Sequence, residues 1–268
     1  MVEQLGDRPL EPRIDVVHAP TLRGPRTCRQ PSHAPGGIPR AHRGVVEKTI
    51  DGSDRPWHSH RVQEITTEEQ LRALLGEPVP AALAKELTAL ADVDREWLAA
   101  SPFCLVATSA ANGECDVSPK GDPPGFTLVL DERTIAIPER AGNRRADGYR
   151  NILANPHVGL IYLLPGRTDT LRINGRARLV TEPALLDRMV VKGHRPVLAV
   201  VVDVEQVFHH CGKAFLRSQL WDAESWRPDA VPTRARIAHA LERKDEPLEE
   251  LERYYSTAAY SAGLYPST

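Results

Sequence analysis

Residues 103–138 read FCLVATSAANGECDVSPKGDPPGFTLVLDERTIAIP. Four short runs, FCLVATSA, CDVS, FTLVL and TIAIP, are rich in apolar and β-branched residues, and turn formers at ANGE and DERT separate the members of each pair. Runs of that length joined by tight turns predict two successive hairpins and hence an antiparallel meander.

The same pattern returns downstream. VGLIYLL (158–164) is apolar on both faces, as a central covered strand would be. TLRINGRARLV (170–180) alternates, with Leu171, Ile173, Ala177 and Leu179 on one face and Arg172, Asn174, Arg176 and Arg178 on the other. PVLAVVVDVEQVF (196–208) has the β-branched content of a further buried strand. Six or seven strands with few helices between them lack the βαβ alternation of a parallel sheet. The expected fold is mainly β with peripheral helices (α+β), built as a small antiparallel barrel.

Helices are expected around it. Thr66 and Glu69 have capping-box spacing ahead of Leu71, Leu74 and Leu75, and Gly76 and Pro78 end that helix. A second helix is predicted over 80–99 with Leu83, Leu87, Leu90, Val93 and Leu98 facing inward. Others are predicted from Arg144 to about Ala154 and from Pro183 to about Lys192. Leu248, Leu251, Tyr254 and Tyr255 mark a C-terminal helical arm that packs on the barrel or on a partner. The chain thus divides into a Pro/Arg-rich segment at 1–62, expected to be disordered, the barrel with its helices at 63–227, and the arm at 228–268.

Hydrophobic residues make up 41% of the 268, charged residues 26%, and the net charge is −2, so nothing global favours nucleic acid or a membrane surface. No run nears the ~18 apolar residues of a membrane span, and no secretory segment opens the chain, so a cytoplasmic location is expected. The four cysteines form no CxxC pair, Cys104 reads as core, and His58 with His60 reads as a solvated pair. Rossmann, P-loop and GxSxG signatures are absent. No metal site is expected.

Three polar features are placed to meet. Ser118 and Lys120 end a strand before Gly121, which lets backbone turn closely round a ligand. Asn143, Arg144 and Arg145 open a helix, where free N–H groups, the dipole and guanidinium groups together suit a phosphate. The arginine-bearing strand is the third, with Lys213 and Arg217 one helical turn apart beyond it. Each has a plain structural alternative: Lys120 solvated, Asn143 a simple N-cap, Arg144 and Arg145 paired with Asp147, and the arginine strand an exposed face.

The ordered series SPKGD, GNRR, NPHVGL, LRINGRA and CGKAFLRSQLW, over roughly Thr66 to Asp222, resembles the flavin-binding split-barrel proteins of the pyridoxamine 5'-phosphate oxidase-like superfamily. The resemblance implies a six-stranded antiparallel split β-barrel of FMN-binding type, dimerising so that one FMN sits in each of two clefts between subunits. It implies phosphate ligands in Lys120, Asn143, Arg144 and Arg145, and Ser118, Pro119, Ile137 and Pro138 along the flavin ring. Arg172, Lys213 and Arg217 would close the cleft from the partner chain. The implied activity is FMN-dependent oxidoreduction between NADPH or NADH and a small-molecule acceptor. NRR stands where the oxidase proper has a Ser-Arg-Lys series, and its closing Arg-Leu-x-Pro pattern is missing, which argues against vitamin B6 oxidation. The alternatives are a deazaflavin-dependent reductase, for which Arg172, Arg176 and Arg178 would supply a basic groove, and a non-catalytic flavin or heme carrier, with His209 or His210 as axial ligand.

Overall fold

In the computed structural model residues 63–265 are described; the expected N-terminal extension, with His58 and His60, lies outside them, as do residues 266–268. Helices α1 (Glu68–Leu75), α2 (Pro80–Leu83) and α3 (Asp92–Ala100) lead into strands β1 (Phe103–Ser109), β2 (Cys115–Gly121), β3 (Leu128–Asp131) and β4 (Thr134–Pro138). There follow α4 (Asp147–Ala154), β5 (His157–Leu163), β6 (Thr170–Val180), α5 (Pro183–Asp187), β7 (Ala199–His210) and α6 (Lys213–Ser218). The arm comprises α7 (Arg234–Leu241), α8 (Leu248–Tyr254) and α9 (Thr257–Ala262).

The strands form one seven-stranded sheet in the order β2-β1-β5-β6-β7-β4-β3. Every pairing is antiparallel. Both hairpins expected over 103–138 are present, as β1–β2 and β3–β4. The sheet has one strand more than the six expected.

Alternation decides which residues fill the interior. Leu171, Ile173 and Ala177 of β6, Val158, Leu160 and Tyr162 of β5, and Val200, Val202, Val204 and Val207 of β7 are buried in one cluster with Ile135 and Ile137 of β4. At Asn174/Gly175 the β6–β7 register slips by a bulge. A Cβ on Gly175 would stand 2.1 Å from the Asp203 carbonyl oxygen, so the close crossing there needs glycine.

The sheet is rolled. Thr127, just ahead of β3 at one end of the strand order, shares a buried hydrogen bond of 3.1 Å with Tyr162 on β5 near the other end. Lys120 on β2, the first strand in the order, touches Glu139, the residue after β4, the sixth. The ends of the sheet therefore meet through side chains instead of ladder hydrogen bonds, which is a barrel with an open seam.

The helices differ from expectation in instructive ways. Thr67, not Thr66, caps α1 by accepting the Gln70 N–H, and Gln70 Oε1 accepts the Thr66 N–H in return. The single helix expected over 80–99 is two, because Leu87 leaves the helix to pair its backbone with Val207 of β7. Asp94 then restarts it, its carboxylate accepting the Ala91 N–H at 2.8 Å. Leu90 and Leu98 are buried as expected, whereas Leu83, Leu87 and Val93 are exposed. The helix after Pro183 ends at Asp187, short of Lys192. In the arm, Leu251 packs with Ala235 and Ala238 while Tyr254 stays exposed.

Candidate functional site

The site lies on the seam. β2 is an edge strand, so Pro119 sits there without removing a needed ladder donor. Alternation along β2 turns Asp116, Ser118 and Lys120 to its half-buried side and Val117 and Pro119 to solvent. Lys120 stands opposite buried Cys104, whose thiol burial pushes up to about 12, an inert group.

Across the seam the chain leaves β4 at Pro138 and makes an irregular passage to α4. The plain alternative for Asn143, a helix N-cap, is not what it does: its Oδ1 accepts the Arg145 N–H at 3.0 Å and closes a local turn, while Ala146 holds the cap position. Arg144 (φ 61°) and Ala146 (φ 58°) are left-handed, a conformation that costs a non-glycine residue on the order of 1 kcal/mol or more and that clusters at ligand sites. The helix expected from Arg144 begins only at Asp147, so both arginines project from the loop.

Between these two walls lies a cavity of about 480 Å³. Ser118, Pro119, Lys120, Pro138, Asn143, Arg144 and Arg145 all line it. Ile137 does not: it is buried in the core, opposite Val200. Arg172 lies on β6, and Lys213 and Arg217 on α6, outside the lining.

Four further residues line the cavity that sequence reasoning passed over. Lys120 Nζ donates to Glu139 Oε2 at 2.5 Å and to the Tyr149 hydroxyl at 2.7 Å, and the hydroxyl donates to the same carboxylate oxygen. Burial and the neighbouring Glu139 carboxylate both push the Tyr149 phenol above its ordinary range. Arg140 donates from Nε to Asp122, from Nη1 to the His194 carbonyl at 3.1 Å and from Nη2 to the Met189 carbonyl at 2.7 Å. Asp122 also accepts from the hydroxyl of Tyr265, beyond the end of α9, whose ring lies between Lys192 and His194. The only sequence signals for these four were charge or a hydroxyl in or beside the named motifs, Asp122 being the last residue of SPKGD.

The other expected groups are engaged elsewhere. Arg172 lies 5.1 Å from the Phe208 ring centre, Arg176 reaches His157 at 3.0 Å, and Arg178 pairs with Asp203. His209 Nε2 meets Asp94 Oδ1 at 3.0 Å. Among the described residues no cluster of three His, Cys, Asp or Glu could hold a metal ion, and no helix is long and apolar enough to cross a membrane.

The donor set fits a phosphate group. Arg145 pairs with Asp147 at 2.7 Å on an exposed loop, where re-pairing costs little. Arg144 makes no side-chain hydrogen bond or ion pair among the described residues, leaving its fork for an anion. The volume lies within the range of cofactor pockets, about 300–1,000 Å³.

Residues 90–211 match the sequence model of the family described as pyridoxamine 5'-phosphate oxidase. No curated protein matches the chain significantly in sequence. Among solved structures, HupZ of Group A Streptococcus aligns at 19% identity over 45% of this chain and 93% of its own, with a TM-score of 0.37. An FMN-binding protein of Syntrophomonas wolfei aligns at 14% identity over 44% and 89%, TM-score 0.34. An F420 reductase aligns at 21% over 43% and 94%, TM-score 0.31. The match over residues 90–211 spans every strand of the sheet, so the antiparallel barrel of this chain is similar to the pyridoxamine 5'-phosphate oxidase family.

Proposed function

We propose that the seam cavity binds FMN and that the protein is an FMN-dependent oxidoreductase moving hydride between NADPH or NADH and a small-molecule acceptor. The observation that carries this reading is Arg144, held in a left-handed turn beside Arg145 and Asn143 with its guanidinium uncommitted among the described residues. A phosphomonoester carries nearly two negative charges at neutral pH, and a guanidinium fork answers it with paired, charge-assisted hydrogen bonds. Asn143, Arg144 and Arg145 hold the phosphate. Pro119 and Pro138 flank the ring, and the Ser118 hydroxyl, now donating to Asp116 at 2.9 Å, is a polar contact at its edge. When bound, the flavin supplies the hydride chemistry, and the protein supplies position and electrostatics.

A second copy of the chain completes the cleft in this reading, bringing Arg172, Lys213 and Arg217, and the pair works in the cytoplasm. Val117 of β2, exposed and opposite the exposed Ala107 of β1, offers an apolar surface for that partner. The deazaflavin and heme alternatives have less support, since Arg172, Arg176, Arg178, His209 and His210 lie outside the lining of the seam cavity.

The test is reconstitution with FMN, followed by the visible spectrum before and after anaerobic NADPH or NADH. Retained flavin that bleaches supports the reading; a protein that retains no flavin refutes it. Arg144→Ala and Arg145→Ala are each expected to weaken FMN binding by about 1.5–3 kcal/mol, the size of a charged hydrogen bond. Unchanged affinity in the double variant removes the phosphate assignment.

A further inference from the structure

The cavity's charges are matched almost one for one. Lys120 is paired with Glu139, Arg140 with Asp122 and Arg145 with Asp147. Of the lining charges that remain, Asp116 takes the Ser118 hydroxyl, and Arg144 has no acidic partner among the described residues. Among the described residues the cavity therefore has one uncommitted cation, enough to anchor one phosphate, and a second anionic group entering it would have to break an existing pair.

The pair it would have to break at the inner wall is held from three elements. Lys120 comes from β2, Glu139 from the residue after β4 and Tyr149 from α4, which are 19 and 29 positions apart from the lysine in sequence. The ammonium and carboxylate side chains are only 18% and 22% exposed, so solvent screens their attraction weakly. The Tyr149 ring lies 4.8 Å from the ammonium, and its hydroxyl joins both ions. The raised phenol stays protonated, so it keeps donating to Glu139.

We propose that Glu139 determines specificity: by holding Lys120 in an internal ion pair braced by Tyr149, it withholds that ammonium from ligands. The second ligand of the cavity is then uncharged or cationic at this wall and carries no phosphate or carboxylate there. The inference rests on the flavin reading only in assigning Arg144 to the cofactor. Lys120, a phosphate candidate from sequence, becomes the counter-ion of Glu139 instead.

The experiment titrates FMN-loaded protein with inorganic phosphate, followed by calorimetry and by the shift of the flavin spectrum. The native protein is expected to show no Lys120-dependent phosphate binding. Glu139→Gln, which keeps shape and removes charge, should bind phosphate about tenfold more tightly or better, the worth of one released charged donor. Adding Lys120→Met to Glu139→Gln should abolish the gain. Tyr149→Phe, which keeps the ring and drops the brace, should show a smaller gain with the same dependence on Lys120, and it serves if Glu139→Gln folds poorly.

Two results overturn the proposal: phosphate binding by the native protein that Lys120→Met removes, or no gain in either the Glu139 or the Tyr149 variant. If FMN itself does not bind, the flavin reading falls. The same titration then runs on cofactor-free protein carrying Arg144→Ala and Arg145→Ala, where a Glu139→Gln gain or its absence still decides the role of Glu139.

Discussion

Replacing Arg140 with alanine should be the most damaging single change at the site. Its side chain is 16% exposed and its partner carboxylate on Asp122 only 2%. Removing one member of a buried ion pair costs about 3–5 kcal/mol, because the survivor stays buried and uncompensated. The Tyr265 hydroxyl still donates to Asp122, which puts this case near the lower figure, about 3 kcal/mol. Two backbone carbonyls, of Met189 and His194, also lose their donors, and water can replace part of each bond, adding about 1 kcal/mol together. The total is about 4 kcal/mol, a fall in Tm of roughly 8–16 °C for a domain of this size. Urea and thermal denaturation followed by circular dichroism would read it. Arg140→Lys, with the charge but no fork, should lose about half as much. Arg140→Met combined with Asp122→Asn removes both charges and should recover most of the loss. A loss below about 1 kcal/mol for Arg140→Ala, or a double variant no better than the single, would refute this account of the clamp.

Gly175→Ala should destabilise by several kcal/mol or prevent folding, since its Cβ would stand 2.1 Å from a backbone oxygen that the bulge cannot move; soluble yield and urea midpoint measure it. Tyr149 and Tyr162 hold their protons more tightly in the folded than in the unfolded chain, which ionises near the ordinary value of 10.0. Their effect is absent below that pH, and stability falls as pH rises above it. Tyr149→Phe should therefore flatten the alkaline limb of the urea midpoint against pH; an unchanged slope would count against the buried phenol. Asp94→Ala removes the acceptor of the Ala91 N–H and of His209 together and should cost about 2 kcal/mol by denaturation.

Strands were legible where burial is one-sided and the chain long enough to show its period, as in β6, where Leu171, Ile173 and Ala177 are buried as their alternation requires. Period alone misled between Pro80 and Ala99. Leu83, Leu87 and Val93 keep helical spacing, but the backbone of Leu87 gains more by pairing with Val207 of β7, a residue that no local window contains. The site divided in the same way. Ser118, Lys120, Asn143, Arg144 and Arg145 sit in motifs with a local chemical meaning, and they line one cavity. Glu139, Tyr149, Arg140 and Asp122 acquire their roles only when the rolled sheet brings β2 against the end of β4, so even Asp122, inside the SPKGD motif, gives no local sign of its partner. Ala146 is illegible for another reason: alanine carries no hint that it will be left-handed, and only the need to turn into α4 imposes it.

The bond between Tyr265 and Asp122 also sets a timetable. The two residues are 143 positions apart, whereas Arg140 follows Asp122 by only 18. At roughly 5–20 residues per second, a ribosome delivers the arginine within about 1–4 s of the aspartate and the tyrosine about 7–29 s after it. A nascent barrel can therefore roll up with its ion pair made while the last donor to Asp122 is still unsynthesised. During that interval the cavity wall lacks its strap, and Arg140 alone neutralises Asp122.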